Sequence, residues 1–245
     1  MTTPRFYCPQ IQHATTEFEL PPAAAHHANR VLRLRVNDEV RLFDGIGNEF
    51  LGNIRTISDS RVALQVLQVN TISREPLLCI TLAQALCSNE KIDWVMQKAT
   101  ELGAVEVQPL QTKRSMKKLT GERAEKRVQH WVGVAIAACE QCGRNTLPKI
   151  HPPLEFSAWC ATLANIPDKK FILLPEAVTT LSQQPKPQGP VILLIGPEGG
   201  FNAEETQLAQ QVGFTPIRLG ARILRTETAA MAGMAALQTL WGDFI

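Results

Sequence analysis

The stretch Pro190 to Glu205, PVILLIGPEGGFNAEE, decides the fold. An unbroken apolar run, rich in branched side chains, reads as a buried strand, and Asn202 with Glu205 at capping-box spacing announces a helix after it. Between them stand Gly196, Pro197, Glu198, Gly199 and Gly200. Strand, irregular loop and helix in that order form the repeating unit of an α/β sheet. Ligands of such sheets bind beyond the carboxyl ends of the strands, where adjacent glycines let the backbone approach a ligand without Cβ obstruction. The same glycines also suit a tight turn with no ligand nearby. The loop is not G-x-G-x-x-G and carries no Walker lysine, so dinucleotide and P-loop readings lose their main support.

Two other strand ends look alike. FILLPEA places Pro175 and Glu176 just past a strand, and PIRLGARILRTETAA places Leu219 and Gly220 past another. Three irregular loops could therefore converge on one pocket. In the last segment Thr226 can cap the final helix, Glu227 sits in its electropositive first turn and Arg225 precedes it. Those placements also describe an ordinary helix start. The final helix, Thr226 to Trp241, is rich in Ala and Gly and admits close approach of a sheet or of a second subunit; periodicity does not choose between them.

Upstream, LCITLAQAL is a buried-strand candidate, and Lys91 to Leu102 reads as a helix with Ile92, Val95, Met96, Ala99 and Leu102 on one face, stopped by Gly103. VEVQPL and KFILLPE are further strands, Gly121 to Cys142 a long helix and Ala203 to Val212 a shorter one. From Arg41 to Val69 the texture differs: RLFDGIGNEFLGNI gives two β-rich runs around Asp44, Gly45 and Gly47, and RVALQVLQV follows. The change near Thr71 to Pro76 marks a boundary, predicting one domain over residues 1–72 and another over 73–245.

Of 245 residues, 44% are hydrophobic and 20% charged, as in an ordinary globular chain. No apolar run approaches the ~20 residues of a spanning helix, and Met1 to Ile11 lacks a secretory pattern, so no membrane association and a cytoplasmic location are expected. Six scattered cysteines fit a reducing compartment, and the single C-x-x-C at Cys139 and Cys142 has no partner pair for zinc. His26 and His27 are adjacent and would point apart on regular structure, so no metal is implied. A net charge of +2 does not by itself announce nucleic acid, but Arg30, Arg33 and Arg35 form one basic cluster. Lys113, Arg114, Lys117 and Lys118 begin another that continues to Arg127. Such clusters neutralise phosphates, or simply make a solvated helix face.

Six segments, taken in order, resemble the RsmE family of bacterial 16S rRNA (uracil-N3) methyltransferases, in the SPOUT class. They are HHANRVLRLRVND, the Phe43 to Gly47 turn, KIDWVMQKATELG, AACEQCGRNTLP, IGPEGGF and LGARILRTETA. The resemblance implies a small N-terminal PUA-like β-barrel that binds RNA and a C-terminal α/β domain tied in a trefoil knot. It implies S-adenosylmethionine as cofactor, S-adenosylhomocysteine as product, a homodimer through the last helix, and 16S ribosomal RNA of the small subunit as partner, methylated at uracil 1498. Carried over by motif, the cofactor loops are Leu174, Pro175 and Glu176; Ile195, Gly196, Pro197, Gly199 and Gly200; and Leu219, Gly220, Ile223 and Leu224.

N3 of uracil offers a proton until that proton leaves, so the enzyme must favour the imide anion. A guanidinium would stabilise the anion, and a carboxylate could receive the proton. Arg225 and Arg144 are candidates for the first role, Glu198 and Glu227 for the second. Orientation alone could suffice, since near-attack geometry is worth ~7 to 11 kcal/mol in favourable cases. Competing expectations are a related knotted enzyme acting on a ribose hydroxyl or a tRNA guanine, and an RNA-binding assembly factor without activity.

Overall fold

The computed structural model describes residues 3–58, 61–115, 118–164 and 166–244. The chain divides into two compact units: Met1–Glu75 with Ile136–Leu147, and Pro76–Ala135 with Pro148–Ile245. The assignment of Ile136–Leu147 to the first unit has no counterpart in the sequence patterning.

The first unit holds strands β1 (Arg5–Tyr7) and β2 (Glu17–Glu19), a short helix α1 (Pro22–His26), and strands β3 (Glu39–Phe43), β4 (Glu49–Ile57) and β5 (Val62–Asn70). The strands pair in the order β1-β3-β4-β5-β2. At the β3–β4 turn, Gly45 and Gly47 take φ of +85° and +118°, while the Asp44 carboxylate accepts the amides of Ile46 and Asn48 at 2.9 and 3.1 Å. That conformation is open to glycine and strained for other residues. Phe6 on one edge strand and Leu20 beside the other pack into a single core with Val40, Leu42, Phe50 and Ile54. Apolar packing, with no hydrogen-bonded β1–β2 seam among the described residues, brings the two edges of this sheet onto one interior.

A buried carboxylate organises the polar side of the unit. Glu49 pairs with Arg5, with Arg41 at 2.7 Å and with Arg74 at 3.1 Å, and Arg5 also donates to the Asn145 side chain at 2.7 Å. Burial would raise the Glu49 carboxyl, but the Arg5 hydrogen bond and three guanidinium charges outweigh it and hold the group below the ordinary carboxylate range.

The second unit contains β6 (Ile80–Ala85), α2 (Asn89–Glu101), β7 (Ala104–Gln111), most of α3 (Gly121–Cys142), β8 (Lys149–Ile150), β9 (Leu154–Glu155), α4 (Phe156–Thr162), β10 (Lys169–Leu173), β11 (Val191–Ile195), α5 (Ala203–Gln211), β12 (Phe214–Ile217) and α6 (Thr226–Trp241). All its strand pairs are parallel, in the order β12-β10-β11-β6-β7-β8, with β9 also on β7. Every residue of β11 is buried, and its side chains divide between two cores. Val191, Leu193 and Ile195 join Ile92, Val95, Met96, Trp131, Met234 and Leu237; Ile192 and Leu194 join Phe156, Trp159, Ala209 and Phe214. Period-two alternation on a central parallel strand thus faces α2, α3 and α6 on one side and α4 and α5 on the other.

The helices follow the sequence signals closely. Asn202 accepts from the Glu205 amide at 2.7 Å, the Glu205 side chain accepts from the Asn202 amide at 3.0 Å, and Gly103 ends α2 with φ of +83°. The last strand runs from Phe214 to Ile217 and leaves Arg218 to Gly220 in the following loop, as expected for Leu219 and Gly220, whereas the short β8, β9 and α4 carry patterns too brief to read as periodic.

Candidate functional site

Strand register brings the three irregular loops together. β10 pairs with both β11 and β12, Ile172 opposite Leu194 and Leu173 opposite Ile217, so the strands end at one edge and their loops leave side by side. They enclose a cavity of about 660 Å³, a size suited to a cofactor-sized molecule. Each of the twelve residues carried over as cofactor loops lines it, from Leu174 through Gly200 to Leu224, and so do Glu198 and Arg225.

The loop is packed tightly against the protein behind it: a Cβ on Gly196 would lie 3.1 Å from the Phe201 ring, and one on Gly199 would lie 3.3 Å from the Arg114 side chain. Thr226 anchors the floor: its hydroxyl donates to the Gly196 carbonyl at 2.6 Å and accepts from Gln84 Nε2 at 2.9 Å. Arg114 Nη1 donates to the Gly199 carbonyl at 2.8 Å from the opposite side. The loop after β11 is therefore fastened from β6, from α6 and from the segment after β7.

Charge is concentrated at one end. Glu198 Oε1 accepts the Ser88 amide at 3.2 Å and the Lys91 ammonium at 3.1 Å. Burial would raise the Glu198 carboxyl, but backbone amides and Lys91 prevail and hold it below the usual range. A carboxylate so stabilised is ionised at neutral pH and is a weak proton acceptor. Glu227 does not line the cavity; it sits behind Lys91, with 3.8 Å between Oε2 and Nζ.

Family models match the chain in two places: an RNA methyltransferase domain over residues 73–238 and an RNA methyltransferase PUA domain over residues 20–67. Ribosomal RNA small subunit methyltransferase E of Buchnera aphidicola is 34% identical over 98% of this chain and 95% of its own length. The chain belongs to the ribosomal RNA small subunit methyltransferase E family. A family member from Neisseria gonorrhoeae, solved bound to S-adenosyl methionine, superposes with a TM-score of 0.92 at 37% identity, each chain fully covered. A Legionella pneumophila protein solved with the bound cofactor SAM reaches 0.94, also at 37% identity and full coverage of both chains.

Within this methyltransferase family member the remaining candidates fall in different places. Arg144 belongs to the first unit and lines no part of the cavity; it is buried, and its guanidinium holds Glu75 Oε2 through Nε at 2.9 Å and Nη2 at 2.6 Å. Arg30, Arg33 and Arg35 are exposed on one short segment of the first unit, Arg33 with φ of +54°. In the second unit Lys113 is exposed, and Lys118 pairs with Glu155 at 3.3 Å in an exposed contact that contributes little stability. Arg114, expected to meet RNA, also lines the cavity. Lys117 lies outside the described residues.

Lys91, Gln84 and Thr226 were not singled out as site residues by sequence. Lys91 opens a quoted family segment, a signal that could have flagged it; Gln84 was visible only as a polar residue inside an apolar strand. Cys139 is buried with its thiol toward the Thr146 carbonyl at 3.8 Å. Among the described residues no cluster of His, Cys, Asp or Glu could hold a metal ion, and no helix is long and apolar enough to cross a membrane.

Proposed function

We propose that this chain transfers a methyl group from S-adenosylmethionine to N3 of uracil 1498 in 16S ribosomal RNA of the small subunit. The observation that carries it is the convergence of three strand-end loops on one glycine-lined cavity, in a chain that superposes over its full length on relatives solved with that cofactor. The residues fit the group: the cavity has cofactor size, Gly200 in its wall faces open space where a Cβ would stand, and Glu176 and Glu198 in its lining offer partners for a cationic ligand. When bound, S-adenosylmethionine supplies an electrophilic methyl on a sulfonium.

The chain's own groups do the rest. Leu174, Ile195, Leu219 and Leu224 give apolar wall, and the Gly196 to Gly200 backbone holds the ligand in place between Thr226 and Arg114. Arg225, at the mouth of α6, stabilises the uracil anion. Glu198 is held ionised and serves charge balance better than proton abstraction; Glu227, the second carboxylate, lies behind Lys91 outside the cavity lining, so a proton reaches its Oε2, which accepts no hydrogen bond among the described residues, only through an intervening group. Arg30, Arg33 and Arg35 in the first unit and Lys113 in the second bind phosphates.

The C-terminal segment is read as a trefoil knot. From β12 at the sheet edge the chain returns to the centre, where Thr226 is bonded to β6 and to the end of β11; the crossing would close there. Exposed Trp94 on α2 and Leu240 and Phe244 near the end of α6 favour a homodimer along those helices. A ribosomal substrate puts the protein in the cytoplasm.

Mass spectrometry of nucleosides from small-subunit RNA, treated with enzyme and labelled cofactor, is the test. 3-Methyluridine is expected; label on a ribose or another base would refute the assignment, and no incorporation would favour an assembly factor. Arg225→Ala and Glu227→Gln should each slow single-turnover transfer at saturating cofactor. Near-normal rates in both would remove their roles.

A further inference from the structure

Glu227 Oε2 is buried and accepts no hydrogen bond among the described residues. Lys91 Nζ stands 3.8 Å from it, inside ion-pair range and outside hydrogen-bond range, and is committed to Glu198 Oε1 at 3.1 Å. The three groups come from separate segments: Lys91 from the first turn of α2, Glu198 from the loop after β11 and Glu227 from the first turn of α6. Their side chains are only 28%, 28% and 12% exposed, so their mutual field is screened less than that of surface charges.

We propose that Lys91 is a positioning residue for the cationic ligand of this cavity: its ammonium turns Glu198 so that Oε1 is taken by the protein and Oε2 is left to a ligand donor. The inference rests on reading the cavity as a S-adenosylmethionine site and adds a residue to it.

Lys91 lowers the Glu198 carboxyl by its hydrogen bond and by its charge, beside the backbone amides, and so keeps that carboxylate ionised against the effect of burial. The charged and titratable groups that act on Lys91 are Glu198, Glu227 and Arg225, and Cys87 feels its charge in turn. Burial and the nearby Glu198 push the Cys87 thiol up to about 12, so it stays neutral under ordinary conditions. The hydrogen bond to Glu198 raises the Lys91 ammonium above its usual value, which makes Lys91 a fixed positive charge rather than a proton acceptor. Glu198 accepts both Ser88 N–H and Lys91 through the same oxygen, Oε1, and its own backbone amide also acts on the carboxylate.

Calorimetric binding of S-adenosylmethionine to the full chain, from pH 4 to pH 8, tests this when set beside unfolding curves for wild type, Lys91→Met and Lys91→Arg. Lys91→Met should bind roughly tenfold or more weakly at neutral pH, as expected for loss of a charge-assisted contact. Its acid limb should move up, because the Glu198 carboxyl is no longer held low by the ammonium and keeps its proton to higher pH. Lys91→Arg should restore the limb. A purely structural contribution would lower the melting temperature and weaken binding evenly across pH. An unshifted acid limb in Lys91→Met, or no recovery in Lys91→Arg, overturns the inference while the cofactor reading stands. Failure of the wild type to bind S-adenosylmethionine at any pH overturns both.

Discussion

The hydroxyl of Thr226 is the joint between the last helix and the ligand loop: it donates to the Gly196 carbonyl at 2.6 Å while accepting from Gln84 at 2.9 Å. Both partners are remote in sequence, and Gln84 and Thr226 are buried. Thr226→Val keeps the shape and removes the donor, leaving two buried polar groups short of a partner at a cost of about 1 to 3 kcal/mol. Urea unfolding should register that loss, with weaker S-adenosylhomocysteine binding beside it, and Thr226→Ser should recover both. Unchanged stability and affinity in Thr226→Val would show that the joint is dispensable.

Gly103 offers a second stability test. Its φ is +83°, and a Cβ there would stand 2.7 Å from the Pro76 ring. The left-handed conformation alone costs a non-glycine residue roughly 1 to 2 kcal/mol. Crowding against the proline adds to this, so Gly103→Ala should lose about 2 kcal/mol or more in a urea titration. A neutral result would mean that the turn can reshape.

Arg144 is a structural ion partner in this chain. Arg144→Ala would strand Glu75, whose carboxylate also accepts the Thr146 amide at 3.2 Å, and should destabilise the first unit by about 3 kcal/mol. Thermal melts would show an early transition for that unit. Coincidence with the wild-type melt would contradict the pairing.

Glu49 sets a pH dependence. Its carboxyl is held below the ordinary range in the folded chain, so the native state loses protons more readily than the unfolded one. The stabilisation is complete above the unfolded value of about 4.3 and is lost as pH falls through the lower folded value. Urea unfolding between pH 7 and pH 3 should therefore fall more steeply below about pH 4.3 in wild type than in Glu49→Gln. Parallel curves would remove Glu49 from the account of acid sensitivity.

Binding to small-subunit RNA should weaken linearly on a log–log salt plot. Arg33→Ala and Lys113→Ala, both at exposed positions, should each reduce the slope by about one if each contacts one phosphate. A flat salt dependence would argue against the basic segments as phosphate contacts.

Much of this protein was legible locally. The apolar Val191–Ile195 run, the Asn202 and Glu205 cap and the Gly103 stop each act within a few residues, so periodicity and capping chemistry predict the elements they bound. The six ordered segments likewise pointed to the family before any coordinates. Local pattern fixed strands, loops and helices, and with them the glycine-rich walls of the cavity.

Only tertiary structure decided which loops meet and which charges face each other. Lys91 and Glu198 are 107 positions apart and touch because β6 lies beside β11 in a parallel sheet, an order no period of 2 or 3.6 encodes. Arg144 and Arg225 look equivalent as arginines beside ligand-like motifs; burial against Glu75 fixes the first, and position at the start of α6 brings the second to the cavity. Side-chain partners, and hence charge states, depend on long-range packing that sums over the whole sheet, whereas the elements themselves answer to their neighbours along the chain.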